Sequence, residues 1–242
     1  MLNKIPTGSR ELDEWLHGGY ENDIITTLYG PAGSGKSNLC VMAAAYQASQ
    51  GRKVIFIDTE GGFSVERLAQ LTSRDIMKNI FLIKVTNFTE QREAFNKLLG
   101  LVKKDIGLIV VDSIVMQYRL ERGEASQNND HEKAMGINRA LARQMRVLGE
   151  ISQKYRIPVI ITDQVYGKFL TKAEFEAGKE KEVAMVGGDI LKYWSKCIIE
   201  LQNLGQGKRK AILKKHRSLP EKEFTFTIHD KGIATEKRFR FF

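Results

Sequence analysis

No run of about 18 apolar residues occurs in the chain, so the pattern of a membrane-crossing helix is missing. The start, Met1-Leu2-Asn3-Lys4-Ile5-Pro6, lacks the apolar core of a secretory leader, and a cytoplasmic protein is expected. Only two cysteines occur among 242 residues, Cys40 and Cys197. They lie far apart and form no Cys-x-x-Cys pair. That is the pattern of neither a disulfide framework nor a zinc site, and both read as buried thiols. The four histidines, His17, His131, His216 and His229, show no metal-ligand spacing. Acids are scarce at one end. Of a formal net charge of +9, residues 205–242 contribute a local +7, with 11 lysines and arginines against 4 acids. Such an end suits an anionic partner, nucleic acid or phosphate. A solvated surface that aids solubility is the plain alternative.

What is present is ordinary in bulk: 42% hydrophobic and 28% charged residues, the composition of a globular protein long enough to bury a core without staples. Residues 24–29, 53–58, 79–85, 107–112 and 158–163 read as strands. Residues 37–49, 91–103 and 132–155 read as helices. Apolar strands alternating with helices predict a mostly parallel sheet covered on both faces, the α/β class. After Gly188 the pattern changes. Short segments at 197–201, 209–213, 223–229 and 233–235 predict antiparallel strands that extend the sheet at its C-terminal end. The mixed-charge stretch 165–188 predicts a long loop.

Gly30-Pro31-Ala32-Gly33-Ser34-Gly35-Lys36-Ser37 fits G-x-x-x-x-G-K-[ST], between a predicted strand and a predicted helix. Glycines let successive backbone N–H groups turn toward phosphate oxygens, and the helix presents its positive end to the same anion. Lys36 is expected on the β- and γ-phosphates and the Ser37 hydroxyl on Mg²⁺, with Asn38 next in the helix. Asp112, ending an apolar strand, takes the place of the second carboxylate that holds the metal's water. Glu60 and Asp58 end the neighbouring strand, and either could act as general base. Gln164 follows the strand 158–163, where an amide could sense the γ-phosphate. No Asn-Lys-x-Asp tetrapeptide is present, which favours ATP over GTP.

These strings extend over nearly the whole chain: Thr7-Gly8-Ser9-Arg10-Glu11-Leu12-Asp13, Gly18-Gly19, the phosphate loop, Asp58-Thr59-Glu60-Gly61, Glu66-Arg67-Leu68, Ala142-Arg143-Gln144-Met145, Thr162-Asp163-Gln164-Val165, Gly187-Gly188 and Leu219-Pro220-Glu221. Together they resemble the RecA/RadA recombinase family. The opening and the phosphate loop are shared with KaiC-like ATPases; the Asp-Thr-Glu-Gly and Ala-Arg-Gln-Met strings point to the RadA branch. The resemblance implies one RecA-like P-loop ATPase domain over 1–242, with a flanked parallel sheet. It implies ATP and Mg²⁺ as cofactors, and a weak DNA-dependent ATPase acting in recombination and repair. Glu60 resembles the catalytic glutamate and Gln164 the γ-phosphate-sensing glutamine. Arg67 resembles the arginine that lies on adenine, with Gln70 at the base edge. DNA-binding loops would fall at 118–129 and 165–187, single-stranded DNA being the preferred partner. The mixed basic and aromatic tail 237–242 could bind DNA, dock a protein or form a terminal strand.

Three departures qualify the resemblance. The RadA N-terminal helical DNA-binding domain is not expected, and no Phe-x-x-Ala occurs in the chain, so RadA-like filament growth is not expected either, although another homo-oligomer is allowed. Asp163 stands where RadA has asparagine. Lys215 and Arg217 stand in the stretch where RadA carries an ATP-capping acid. The pair is similar to the cationic fingers that RecA and KaiC insert into a neighbour's site, and contact with DNA phosphate or solvent is the alternative. These departures imply an assistant to a RadA-type recombinase, and to other recombination proteins, rather than a strand-exchange enzyme. An ATP-gated adaptor with negligible hydrolysis and a KaiC-like signalling ATPase are the alternative outputs.

Overall fold

The computed structural model describes residues 4–72, 75–167 and 183–235. A small antiparallel pair, β1 (Lys4–Ile5) with β2 (Tyr20–Glu21), encloses α1 (Arg10–Trp15). Then follow β3 (Ile25–Gly30), α2 (Lys36–Ser49), β4 (Lys53–Asp58), α3 (Val65–Leu71), β5 (Ile80–Lys84), α4 (Phe88–Leu101), β6 (Ile106–Asp112), α5 (Met116–Gln127), α6 (His131–Tyr155) and β7 (Val159–Gly167). The chain continues with β8 (Val183–Met185), α7 (Gly188–Trp194), β9 (Ser195–Gly205), β10 (Lys208–His216), β11 (Lys222–His229) and β12 (Gly232–Ala234). The main sheet runs β12-β11-β10-β9-β3-β7-β6-β4-β5, with β8 beside β7. From β9 to β5 neighbouring strands are parallel, and from β9 to β12 they are antiparallel.

The central strands are mainly apolar because both faces are covered, with polar side chains such as Thr27 and Thr162 buried among them. Successive side chains alternate between faces. Val54, Phe56, Leu108, Val110 and Ile160 pack with the alanine-rich α2 on one side. Ile55, Ile57, Ile109, Val111 and Ile161 pack with Phe95, Leu98, Leu141 and Leu148 of α4 and α6 on the other. Among the described residues no helix is long and apolar enough to cross a membrane.

Two expectations are corrected, and helices α1 and α7 were not foreseen. The DNA loop expected at 118–129 is the helix α5. Its inward face carries little apolar surface, chiefly Tyr118 and Ala125, too sparse a stripe for periodicity to register. The stretch expected as a loop at 165–188 begins with β7 running on to Gly167, returns as β8 in register Val165↔Met185, and ends in α7; residues 168–182 lie outside the described residues, as does the tail 237–242. The expected antiparallel strands at the C-terminal end are present as β9–β12; the unforeseen α7 precedes β9, which joins β3 in parallel. Helix α1, capped by the Ser9 hydroxyl on Leu12 N–H, was hidden in the opening string.

Candidate active site

Strand β3 ends at Gly30, and the loop turns directly into α2. A Cβ on Gly30 would fall 2.1 Å from the Leu201 carbonyl oxygen, so only glycine lets β9 close on the loop. Gly35 caps α2 at φ +101, and no side chain caps the helix. The first turn therefore offers its N–H groups to an anion. Lys36, 7% exposed, folds back over the loop and donates to the carbonyls of Gly30 at 2.8 Å and Pro31 at 3.0 Å. Burial lowers its pKa, and Glu60, Asp112 and Asp163 oppose that shift.

Three strands bring the carboxylates to this end of the sheet. Asp112 is buried at the end of β6. Its Oδ1 accepts from the Thr162 hydroxyl at 2.5 Å, and its Oδ2 has no hydrogen-bond partner among the described residues. A Cβ on Gly62 would lie 3.4 Å from Ser37 Oγ and 3.7 Å from Asp112 Oδ2, so hydroxyl and carboxylate share one small space. Burial raises the Asp112 pKa, against the Ser37 and Thr162 hydroxyls. A buried, unpartnered carboxylate oxygen beside a hydroxyl fits a hard cation that keeps waters and phosphate oxygens as its other ligands. Among the described residues no cluster of three acids, histidines or cysteines could hold a metal alone.

Thr59 ties β4 to β6. Its N–H donates to the Asp112 carbonyl at 2.8 Å, and its hydroxyl donates to the Ser113 carbonyl at 2.7 Å. Asp58 accepts from the N–H groups of Glu60, Gly62 and Phe63, so its carboxylate shapes the turn. Glu60 instead faces out, and its Oε1 accepts from Gln164 Nε2 at 2.9 Å. Burial raises the Glu60 pKa, and the nearby Asp112 charge adds to the rise.

Arg67 is pinned on four sides. Its Nε donates to Asn38 Oδ1 at 2.7 Å, Nη1 to Gln70 Oε1 and the Asp230 carbonyl, both at 2.9 Å, and Nη2 to the Gly232 carbonyl at 3.4 Å. These bonds fix the plane of the guanidinium.

Lys215 and Arg217 are not brought to this loop. They sit where β10 pairs the start of β9, beside the start of β3, at the far end of the strands. Lys215 donates to the Lys192 carbonyl at 2.7 Å. Arg217 pairs with Glu21 at 2.9 Å and Asp23 at 2.8 Å, and that pairing lowers the Asp23 pKa. In α5, Arg122 is occupied by the Tyr118 hydroxyl and Asn138. Glu121 and Glu124 face Lys133, which leaves Arg119 exposed.

Sequence reasoning missed Thr59 and Thr162, whose roles depend on which strands become neighbours. It noted Asp163 only as a departure. Asp163 is fully buried. Its Oδ2 accepts from Gly187 N–H at 3.2 Å, and its Oδ1 has no partner among the described residues. Burial pushes its pKa up to about 7.

The Rad51 family model matches residues 1–236. The DNA repair and recombination protein RadB of Methanobrevibacter smithii is 39% identical, covering 96% of this chain and 95% of that one. The protein of the same name from Methanocaldococcus jannaschii is 38% identical over 92% of this chain and 98% of its own. A solved structure described as the crystal structure of the RadB recombinase superposes with a TM-score of 0.72 at 33% identity, covering 96% of this chain and 98% of that one.

Proposed function

The chain belongs to the Rad51 family of DNA repair and recombination proteins, on its RadB branch, and from that membership we propose that it binds Mg·ATP at Gly30–Ser37, hydrolyses it slowly, binds single-stranded DNA and assists a RadA-type recombinase. The observation that carries this reading is the convergence of Lys36, Ser37, Asp112, Glu60 and Gln164 at one end of the parallel strands, where ligands of open α/β sheets bind.

Ser37 and the free oxygen of Asp112 are the groups that would hold Mg²⁺, which when bound neutralises charge on the phosphates. Lys36 would exchange its two loop carbonyls for phosphate oxygens. Glu60 takes a proton from the attacking water, and Gln164 orients that carboxylate from β7. Arg67, fixed by Asn38 and Gln70, supports the base. Lys215 and Arg217, remote from their own loop, act in a neighbouring subunit's site, where cations stabilise transition-state charge. The assisting role rests on those bases, which stand where RadA has an acid. Titration calorimetry with Mg·ATP tests the site. Binding by the wild type and its loss in Lys36→Ala are expected, and equal affinity in both would refute the reading.

A further inference from the structure

The phosphate loop has a second support that lies far away in sequence. Strand β9 passes the loop with the Leu201 carbonyl against Gly30, and the chain then turns back into β10. A register shift between Lys208 and Arg209 breaks the β9–β10 ladder at this turn. Such a bulge re-aims the next side chain. The Arg209 guanidinium accordingly points to the loop apex, where Nε donates to the Gly33 carbonyl at 2.9 Å. Its Nη1 donates to Asn203 Oδ1 at 3.0 Å and to the Lys208 carbonyl at 2.9 Å. Asn203 is itself fixed, because the same oxygen accepts from Gly205 N–H at 3.0 Å.

We propose that Arg209 is a nucleotide-positioning residue, bracing the apex of the phosphate loop through Gly33 and so setting the loop's grip on the phosphates. The peptide unit Gly33–Ser34 is held at both ends. Its oxygen faces Arg209, and its N–H donates to the Pro31 carbonyl at 3.2 Å. Gly33 sits at φ +71, a conformation that glycine adopts without steric cost. A rigid amide plane here keeps the neighbouring N–H groups aimed at the anion before it arrives, which reduces the ordering cost of binding. The guanidinium also places a permanent positive charge beside a polyanion site. Separate nitrogens of one guanidinium serve the Gly33 and Asn203 oxygens, a planar fork that a lysine ammonium does not reproduce.

The inference rests on the nucleotide reading above. It differs from the role given to Gln164: a brace acting through the loop affects ATP and ADP alike, whereas Gln164 affects turnover. The test is the affinity of fluorescent ATP and ADP with Mg²⁺, together with kcat and KM, for wild type, Arg209→Ala, Arg209→Lys, Asn203→Ala and Lys36→Ala. In Arg209→Ala the dissociation constants of both nucleotides are expected to rise about tenfold. KM should rise with them and kcat should stay within about twofold. Arg209→Lys should recover part of that loss, and Asn203→Ala should show a smaller loss in the same direction. Affinity within about twofold of wild type in Arg209→Ala, or a fall in kcat at unchanged affinity, overturns the brace. If Arg209→Ala does not fold, unchanged affinity in both Arg209→Lys and Asn203→Ala overturns it as well. Failure of the wild type to bind ATP would overturn the nucleotide reading and the brace together; binding by the wild type with an unaffected Arg209→Ala overturns the brace alone.

Discussion

Gln164 Nε2 donates to Glu60 Oε1 across 2.9 Å, joining β7 to the turn after β4. The bond holds the proposed general base from a neighbouring strand. Glu60→Gln should reduce ATP turnover by a factor on the order of 100 to 10,000 while leaving ATP affinity within about threefold. Gln164→Ala should also lower turnover, by a smaller factor, because the carboxylate remains but loses its guide. Single-turnover hydrolysis beside equilibrium binding checks both variants, and undiminished turnover in Glu60→Gln would remove Glu60 from the chemistry.

Asp163 gives a dependence on pH with a defined sign. Burial pushes its pKa up to about 7, against the N–H groups of Gly187 and Val186 and the positive charge of Lys36. Between the ordinary carboxylate value and about 7, the folded chain holds a proton that the unfolded chain has released. Stability from this group is therefore lost as pH rises through that window and stays lost above it. Asp163→Asn keeps an acceptor for Gly187 and removes the charge. Its melting temperature should exceed that of wild type by a few degrees at pH 8, and the gap should close toward pH 4. Equal melting temperatures at pH 8 would show that the buried carboxylate costs nothing.

Lys215 and Arg217 lie beside the start of β3, whereas the phosphate loop follows its end. Action on ATP therefore requires another subunit. A mixture of Arg217→Ala, which keeps an intact loop, and Lys36→Ala, which keeps intact cations, should regain turnover that neither shows alone. Turnover that stays flat at every mixing ratio would confine Arg217 to its ion pairs with Glu21 and Asp23.

The strand–loop–helix at Gly30–Ser37 was legible because its motif is a run of consecutive residues: glycines for the turn, then Lys36 and Ser37 at the helix start. The parallel sheet was legible because strands buried on both faces read as apolar runs. Asp112 and Glu60 could be named from strand ends alone. Choosing Glu60 over Asp58 rests on the family resemblance; that Asp58 accepts three backbone N–H groups depends on the folded turn and could not be read from the sequence. What escaped depends on contacts distant in sequence. Thr162 meets Asp112 because β7 lies beside β6. Arg209 meets Gly33 across 176 positions, and in the sequence it is one cation in a basic stretch. Helix α5 escaped because its buried face is small and partly polar, with Gln117 donating to the Thr59 carbonyl at 3.1 Å.

The most direct test of the whole account is ATP turnover measured against single-stranded DNA concentration, for wild type and Lys36→Ala, at about 50 and 200 mM salt. The expected result is slow turnover by wild type that rises with DNA, a rise that weakens at the higher salt as phosphate contacts are screened, and no turnover by Lys36→Ala. Turnover that persists in Lys36→Ala, or wild-type turnover that ignores DNA at both salt concentrations, would contradict it.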